Sequence, residues 1–591
     1  MIDNDEVART SQDAVDLPTY VPSEKAWEVL VQGRILSQTE TPQDLLRRVV
    51  DTLFSVESRF GTSLETIEQL QQEFATYMVD GYCMPGTPIL TNAGRYDTAL
   101  SSCAIIPVDL QHPCVAEVGI CSYYRQNMGS GFDLTRSTDP VALLRWIDNL
   151  SARETATGNY DRYIGNMGML HISHPAVQEF MQAKRQNKLS HFNISLDVTD
   201  EFMAKAKSRA MFYLSNGTPM HAYDLLQQIA ENAWYNGEPG LIFLERMNRD
   251  NPVFQMSKYV STPPCAEMGL AEGETCHFAC LNLRRFVQRY GTSATIDYDK
   301  LERVTHLLTR VLDNAIEFSL PRFPTEISAD EARMKRRIGI GVCGLADMLL
   351  TYDLPYDSQE ARELARDVIS FINYTSKRSS VELAELRGSC RAMEFASLND
   401  YLSGEFLEKK YASRATNTVS AHEWIQLAAT IREKGLRNIS TTALPPTGRA
   451  SLLLETTSSI EPFLSIVDSQ GYIHQSIKEF LFKKLEGDRA LLEDVCREAA
   501  RTGSFQDIRT LPGTVRDRLK TAKEISPDGQ LSMVAKVAGL YGVVDESASK
   551  TVNLPQEATV DDVRTIFLQA YDLGLKNISV YRDKTKAGQP V

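Results

Sequence analysis

Over the first eighty residues apolar side chains recur at helical spacing. The clearest case opens at Thr41-Pro42-Gln43-Asp44, where a hydroxyl N-cap, a proline at the first helical position and an acid three residues on mark a helix start. Leu45, Leu46, Val49, Val50, Leu53 and Phe54 then fall on one face. Residues 1–80 therefore read as a helical region. From Pro85 the pattern changes to short β-prone runs, such as Ala104-Ile105-Ile106 and Phe192-Asn193-Ile194-Ser195, separated by helical periodicity and Gly- or Pro-marked turns. That alternation predicts repeated βα units forming a parallel sheet or barrel over residues 81–469. Residues 470–549 are charge-rich and helical in period, and read as an insertion. In residues 550–591, Thr559 caps a helix carrying Val563, Ile566, Phe567 and Ala570, stopped at Gly574 before a strand-like run from Asn577 to Tyr581.

Composition narrows the class. An apolar fraction of 43% and a charged fraction of 24% are those of a globular protein with ample core. The net charge is −14 and the basic residues are scattered, which argues against nucleic acid as a partner. No apolar stretch reaches the roughly 18 residues of a membrane span, and Met1 to Asp16 lacks the basic and apolar parts of a signal peptide, so a cytoplasmic protein is expected. The ten cysteines show no small-domain disulfide rhythm and are expected as reduced thiols.

One thiol has a distinctive setting. Ser261-Thr-Pro-Pro-Cys-Ala-Glu267 puts Cys265 two residues from Glu267, behind a Pro-Pro pair that stiffens the chain into an extended tip. By itself a Cys-x-Glu is weak evidence, because single cysteines are mostly small core residues. Its companions are Glu274-Thr-Cys276 and Leu100-Ser-Ser-Cys103, the latter downstream of Pro85-Gly-Thr-Pro-Ile-Leu-Thr-Asn-Ala-Gly94. A zinc site from Cys276, His277 and Cys280 has no common ligand spacing, and Cys280 reads as an inert core thiol.

Together these strings resemble the active-site strings of ribonucleotide reductase catalytic subunits. The resemblance continues in order through Phe192 to Met203, Gly237 to Phe243, Asn248 to Pro252, Arg336 to Gly341 and Pro445 to Ser451, and spans about Ala26 to Asp583. Ser549 to Pro555 and Gly574 to Asp583 are most similar to the class II, adenosylcobalamin-dependent members. The resemblance implies a ten-stranded α/β barrel with a central finger loop, besides the helical region and insertions. It implies reduction of a ribonucleotide by thiyl-radical chemistry, with adenosylcobalamin as cofactor, a thioredoxin-like or small-dithiol reductant, and room for a homodimer.

Roles carry over by position. Cys265 would be the thiyl radical, Glu267 the base for the 3'-hydroxyl, and Cys103 with Cys276 the pair oxidised to a disulfide, Cys103 protonating the departing 2'-hydroxyl. The loop Pro446-Thr447-Gly448-Arg449-Ala450-Ser451 would hold the substrate phosphates; without the resemblance it is a turn. Thr87, Ser102 and Gly129 match further substrate-contact positions, their bland alternative being small core or turn residues.

The pattern also breaks. Pro263 stands where the family has asparagine, which puts substrate placement and the reaction outcome in question; Arg449 stands where it has threonine, and Glu455 and Ser459 where it has glycine, with a substrate of different phosphate count as one consequence. The chain is shorter between Phe132 and Pro140, and Gly158 to Gly168 replaces a loop normally rich in glycine and arginine, which puts allosteric control in doubt. No ATP-cone sequence and no C-terminal cysteine pair is recognisable. Two other readings stay open: a radical enzyme giving another product, and a non-catalytic nucleotide binder.

Overall fold

The computed structural model describes residues 15–158, 161–186, 189–291, 293–403, 405–468 and 471–585. Most of the signal-peptide reading, part of the Gly158–Gly168 loop and the end of the tail lie outside these residues.

Four α-helices precede the barrel strands among the described residues: α1 (Glu24–Gln32), α2 (Pro42–Phe54), α3 (Leu64–Val79) and the short helix Thr87–Asn92. At α2 the Thr41 hydroxyl accepts from the Asp44 amide while the Asp44 carboxylate accepts from the Thr41 amide, a reciprocal cap that fixes the helix start. All six residues of its predicted apolar face are buried. Burying such a face contributes more than helix propensity does.

The strands follow as β1 (Cys103–Ile105), β2 (Gly129–Asp133), β3 (Asn166–His171), β4 (Phe192–Asp197), β5 (Gly240–Ile242), β6 (Thr275–Cys276), β7 (Phe278–Asn282), β8 (Gly339–Cys343), β9 (Thr551–Leu554) and β10 (Asn577–Arg582). β1 to β5 pair in parallel in that order. β5 meets β10 antiparallel, and β10 lies parallel to β9. At the other end β1 pairs antiparallel with β6, which runs on through His277 into β7, and β7 lies parallel to β8. The gap between β8 and β9 is bridged by residues 442–444: Thr442 pairs in parallel with Ile340, and Leu444 with Ala548.

Taking β6 and β7 as one stave and residues 442–444 as another, ten staves close a ring among the described residues. It consists of two five-membered parallel halves meeting at two antiparallel seams. The ten-stranded barrel implied by the resemblance is therefore the architecture observed. A closed ring also leaves no long unpaired edge.

Helices Gln475–Lys484, Arg489–Thr502, Gly513–Asp517 and Pro527–Ala538 occupy the segment before β9. The helix Val560–Asp572 returns the chain to β10, with Thr559 and Asp562 forming another reciprocal cap and Val563, Ile566, Phe567 and Ala570 buried. Among the described residues no helix is long and apolar enough to cross a membrane.

Candidate active site

A finger of chain enters the barrel between β5 and β6. Its two sides pair at Ser261 and Leu270, whose amides and carbonyls exchange hydrogen bonds at 3.0 and 3.3 Å. Its tip is a turn in which the Ala266 amide donates to the Pro263 carbonyl at 3.0 Å, so Cys265 sits at the turn's third position. The Pro263–Pro264 pair limits backbone freedom there, as the sequence predicted. Three distant segments hold the tip. Asn193 donates to the Pro264 carbonyl at 3.1 Å, Asn577 to that of Ala266 at 2.9 Å, and the Ser547 amide to that of Glu267 at 3.0 Å.

The wall of β2 is cut back to let the finger pass. A Cβ at Gly131 would overlap the Thr262 carbonyl, and one at Gly129 would lie 3.0 Å from Cys103 Sγ and 3.5 Å from Pro264. Gly129 thus backs the site as a point of close approach.

A cavity of about 330 Å³ lies at the finger tip. Cys265, Glu267, Cys103, Ser102, Thr87, Pro446, Thr447, Gly448, Arg449 and Ala450 line it, so most of the residues singled out from the sequence converge on one space. Cys276 stands directly opposite Cys103 across the β1–β6 seam, its thiol 3.8 Å from the Cys103 carbonyl oxygen. Ser451 does not face the cavity; its hydroxyl donates to the Gly448 carbonyl at 2.8 Å. The exposed surface of Cys265 opens on this cavity, inside the barrel wall.

Burial and a neighbouring carboxylate set the electrostatics. Cys265 is pushed well above the usual thiol range by burial and then by the Glu267 charge. Glu267, 3% exposed, is pushed up to about 8 by burial and then by the Cys103 charge. Its Oε2 has no hydrogen-bond partner among the described residues. A buried carboxyl oxygen without a partner is costly unless a ligand completes it. In the thiol pair, the bond from Cys276 and the adjacent Arg162 hold Cys103 below the usual range, against burial. Burial and the neighbouring Cys103 push Cys276 up. Cys103 is thus the readier proton donor of the two.

The phosphate-loop candidates differ from their sequence reading in one respect. Thr447, Glu455 and Ser459 all adopt left-handed backbone, with φ of 53°, 50° and 48°. The last two are the positions at which the resemblance led us to expect glycine. The Thr447 hydroxyl accepts from the Ser459 amide at 2.8 Å and ties the two turns together.

Sequence reasoning missed Arg162, Tyr163, Phe278 and Cys280 as lining residues. Arg162 and Tyr163 lay in a loop noted only for what it lacks, and no local signal points either side chain inward. Cys280, read as an inert core thiol, is 2% exposed yet borders the cavity.

Comparison with known proteins agrees with this geometry. A family model described as "Ribonucleotide reductase, barrel domain" matches residues 131–581, and "Ribonucleotide reductase, all-alpha domain" matches residues 22–97. The chain is 31% identical to a vitamin B12-dependent ribonucleoside-diphosphate reductase of Mycobacterium tuberculosis (strain ATCC 25618 / H37Rv), over 94% of this chain and 76% of the relative. It is 30% identical to the enzyme of the same name from Thermoplasma acidophilum, over 96% of this chain and 74% of the relative. In fold it is similar to the Actinobacillus ureae class Id ribonucleotide reductase alpha subunit, with a TM-score of 0.73 at 19% identity over 95% of this chain and 97% of the other. The barrel match takes in most of the residues that build the ring and all of the finger, and the chain belongs to the ribonucleotide reductase family.

Proposed function

We propose that this chain reduces a ribonucleotide to the 2'-deoxyribonucleotide by thiyl-radical chemistry, with Cys103 and Cys276 oxidised to a disulfide. The observation that carries the reading is the convergence on one cavity of Cys265, Glu267 with an unpartnered carboxyl oxygen, and Cys103, which is backed by the directly opposed, reduced Cys276.

Cys265, as thiyl, takes the hydrogen atom from C3' of the ribose. Glu267 accepts the 3'-hydroxyl proton, which eases loss of the adjacent hydroxyl. Cys103 gives its proton to the departing 2'-hydroxyl, which leaves as water. The two thiols supply two electrons and become a disulfide, and Cys265 returns its hydrogen to C3'. A thioredoxin-like protein or small dithiol then restores the pair.

The names of the relatives bring adenosylcobalamin to this reading; when bound, it supplies the initiating radical. The residues fit its reactive end. The Cys265 thiol opens on the cavity, so its sulfur would be accessible to a radical source bound there. Tyr163, 59% exposed and stacked on His191 at 4.8 Å, would hold the adenosyl end there. Ten unpaired thiols suit a reducing cytoplasm, and a homodimer belongs to the same reading. So do the helical region of residues 1–80, the barrel of 81–469, the insertion of 470–549 and the return of 550–591.

The test is anaerobic product analysis with dithiothreitol and a panel of ribonucleoside mono-, di- and triphosphates, with adenosylcobalamin present or omitted and Cys265→Ala as control. A deoxynucleotide that needs cobalamin and vanishes in the variant is expected. Nucleotide binding without product across the panel overturns the reading.

A further inference from the structure

Several segments of the barrel meet at one buried guanidinium. Arg337, 2% exposed, stands just before β8, and β8 is tied to the thiol strand by the bond from the Gly339 amide to the His277 carbonyl at 2.9 Å. Arg337 Nε donates to Glu274 Oε1 at 2.7 Å, Nη1 donates to Glu546 Oε1, and Cζ lies 5.1 Å from the centre of the Tyr259 ring. The Tyr259 hydroxyl closes the circuit by donating to the same Glu546 oxygen at 3.2 Å.

Each partner is fastened to a residue of the site. Tyr259 stands at the root of the finger, where Asn248 holds its amide at 2.9 Å and its carbonyl at 3.1 Å. Its ring lies against the opposite side of the finger, so close that a Cβ at Gly269 would come within 2.3 Å of it. Glu546 precedes Ser547, whose amide holds the Glu267 carbonyl at 3.0 Å. Glu274 is two residues before Cys276. Its carboxylate accepts from the Ala271 amide at 2.9 Å, where the finger leaves the barrel interior, and its carbonyl accepts from the Ile105 amide at 3.0 Å across the β1–β6 seam. One side chain therefore bears on both sides of the finger, on the support of Glu267 and on the strand of Cys276.

Charge alone does not account for this arrangement. Lys335 already meets Glu274 at 2.7 Å, and a buried ion network adds little net stability over apolar packing. An arginine adds a planar head whose donors point in fixed directions, so that two carboxylates are held at a set separation; the compact head of a lysine does not do this. Arg336, Arg387 and Arg437 instead converge on the one acid Asp313.

We propose that Arg337 is a positioning residue that sets the register between the finger and the thiol strand, holding Cys265 and Glu267 in place against Cys103 and Cys276. The chemistry served by that register rests on the reductase reading; the anchoring does not.

Amide hydrogen–deuterium exchange of the full chain, measured beside steady-state turnover, tests this with two variants. Arg337→Lys keeps the charge and loses the fork. Arg337→Met/Glu546→Gln removes cation and acid together and leaves Glu274 paired with Lys335. In both, the finger amides of Ala266 and Leu270 are expected to exchange about tenfold faster, while the wall amides of Ser102 and Ser130 stay near their wild-type rates. Turnover should fall about a hundredfold in kcat with KM within about twofold, as for a small misplacement of reacting groups in a site that still binds substrate. Finger exchange that is unchanged, or that rises only as much as at Ser102 and Ser130, overturns the proposal. Wild-type kcat in Arg337→Lys overturns it too. Failure of the reductase reading is seen separately, as missing deoxynucleotide in the wild type, and the ratio of finger to wall exchange then still decides the role of Arg337.

Discussion

Asp545 and Glu267 are both buried carboxylates, joined by neighbouring main chain, since Ser547 donates its amide to the Glu267 carbonyl. Their surroundings are opposite. Asp545 accepts from Lys377, from the Thr441 and Thr442 amides at 2.8 and 3.1 Å and from the Tyr411 hydroxyl. Burial opposes its charge, but Lys377 and Lys410 outweigh it and hold Asp545 well below the usual carboxylate range. Glu267 has an Oε2 with no partner and is pushed up to about 8. The first pattern is that of a scaffold, with every charge answered from within the protein. The second is a group left to be completed by a ligand.

The strongest way to sharpen this contrast is on the cavity side. Cys265→Ser should abolish deoxynucleotide formation, by at least about a thousandfold, while leaving the melting temperature near that of the wild type. Loss of fold together with activity would make Cys265 a packing residue. Glu267→Gln should lower turnover by roughly a hundredfold or more. A base must be deprotonated to act, and a carboxyl raised to about 8 is mostly neutral below that pH. In the wild type kcat/KM should therefore climb with pH and level off above about 8, and Glu267→Gln should remove that rise. A flat wild-type profile would separate Glu267 from the proton transfer.

On the scaffold side the effect moves from chemistry to stability. Lys377→Met leaves the Asp545 charge buried without its closest cation, and should cost about 3–5 kcal/mol in denaturant unfolding. Smallest is the strain in the 447–459 turns. Ser459→Gly relieves left-handed backbone at a fully buried serine and should stabilise by about 1 kcal/mol, visible as a higher midpoint. A neutral or destabilising result would show that Ser459 makes compensating contacts.

Much of this was legible in the sequence wherever the cause is local. Thr41 and Asp44 announce the α2 cap, Thr559 and Gly574 bracket the last helix, and Cys265 and Glu267 sit on a tip stiffened by two prolines. Ring closure was not legible from pattern, because its eighth stave is residues 442–444, held only by isolated bridges, and β6 has two residues. The ten-stranded barrel came from the resemblance instead. Arg162 escaped because its aim is set by the carbonyls of Ser102 and Asn127, sixty and thirty-five positions away. Glu455 and Ser459 were noticed as substitutions for glycine, and the structure shows that the backbone kept the conformation glycine would favour.

The anchoring of the finger has a consequence for biosynthesis. Asn577 holds the Ala266 carbonyl from 311 positions further along the chain, and Ser547 holds Glu267 from 280. Chains emerge from the ribosome N-terminal end first. While β10 is still inside the exit tunnel, the tip lacks the Asn577 anchor and only Asn193 and, once it has emerged, Ser547 can hold Cys265 beside Cys103. The reactive thiol is therefore armed only after almost the whole chain has been translated, and a prematurely terminated product carries the cysteines without the geometry that lets them act on a ribose.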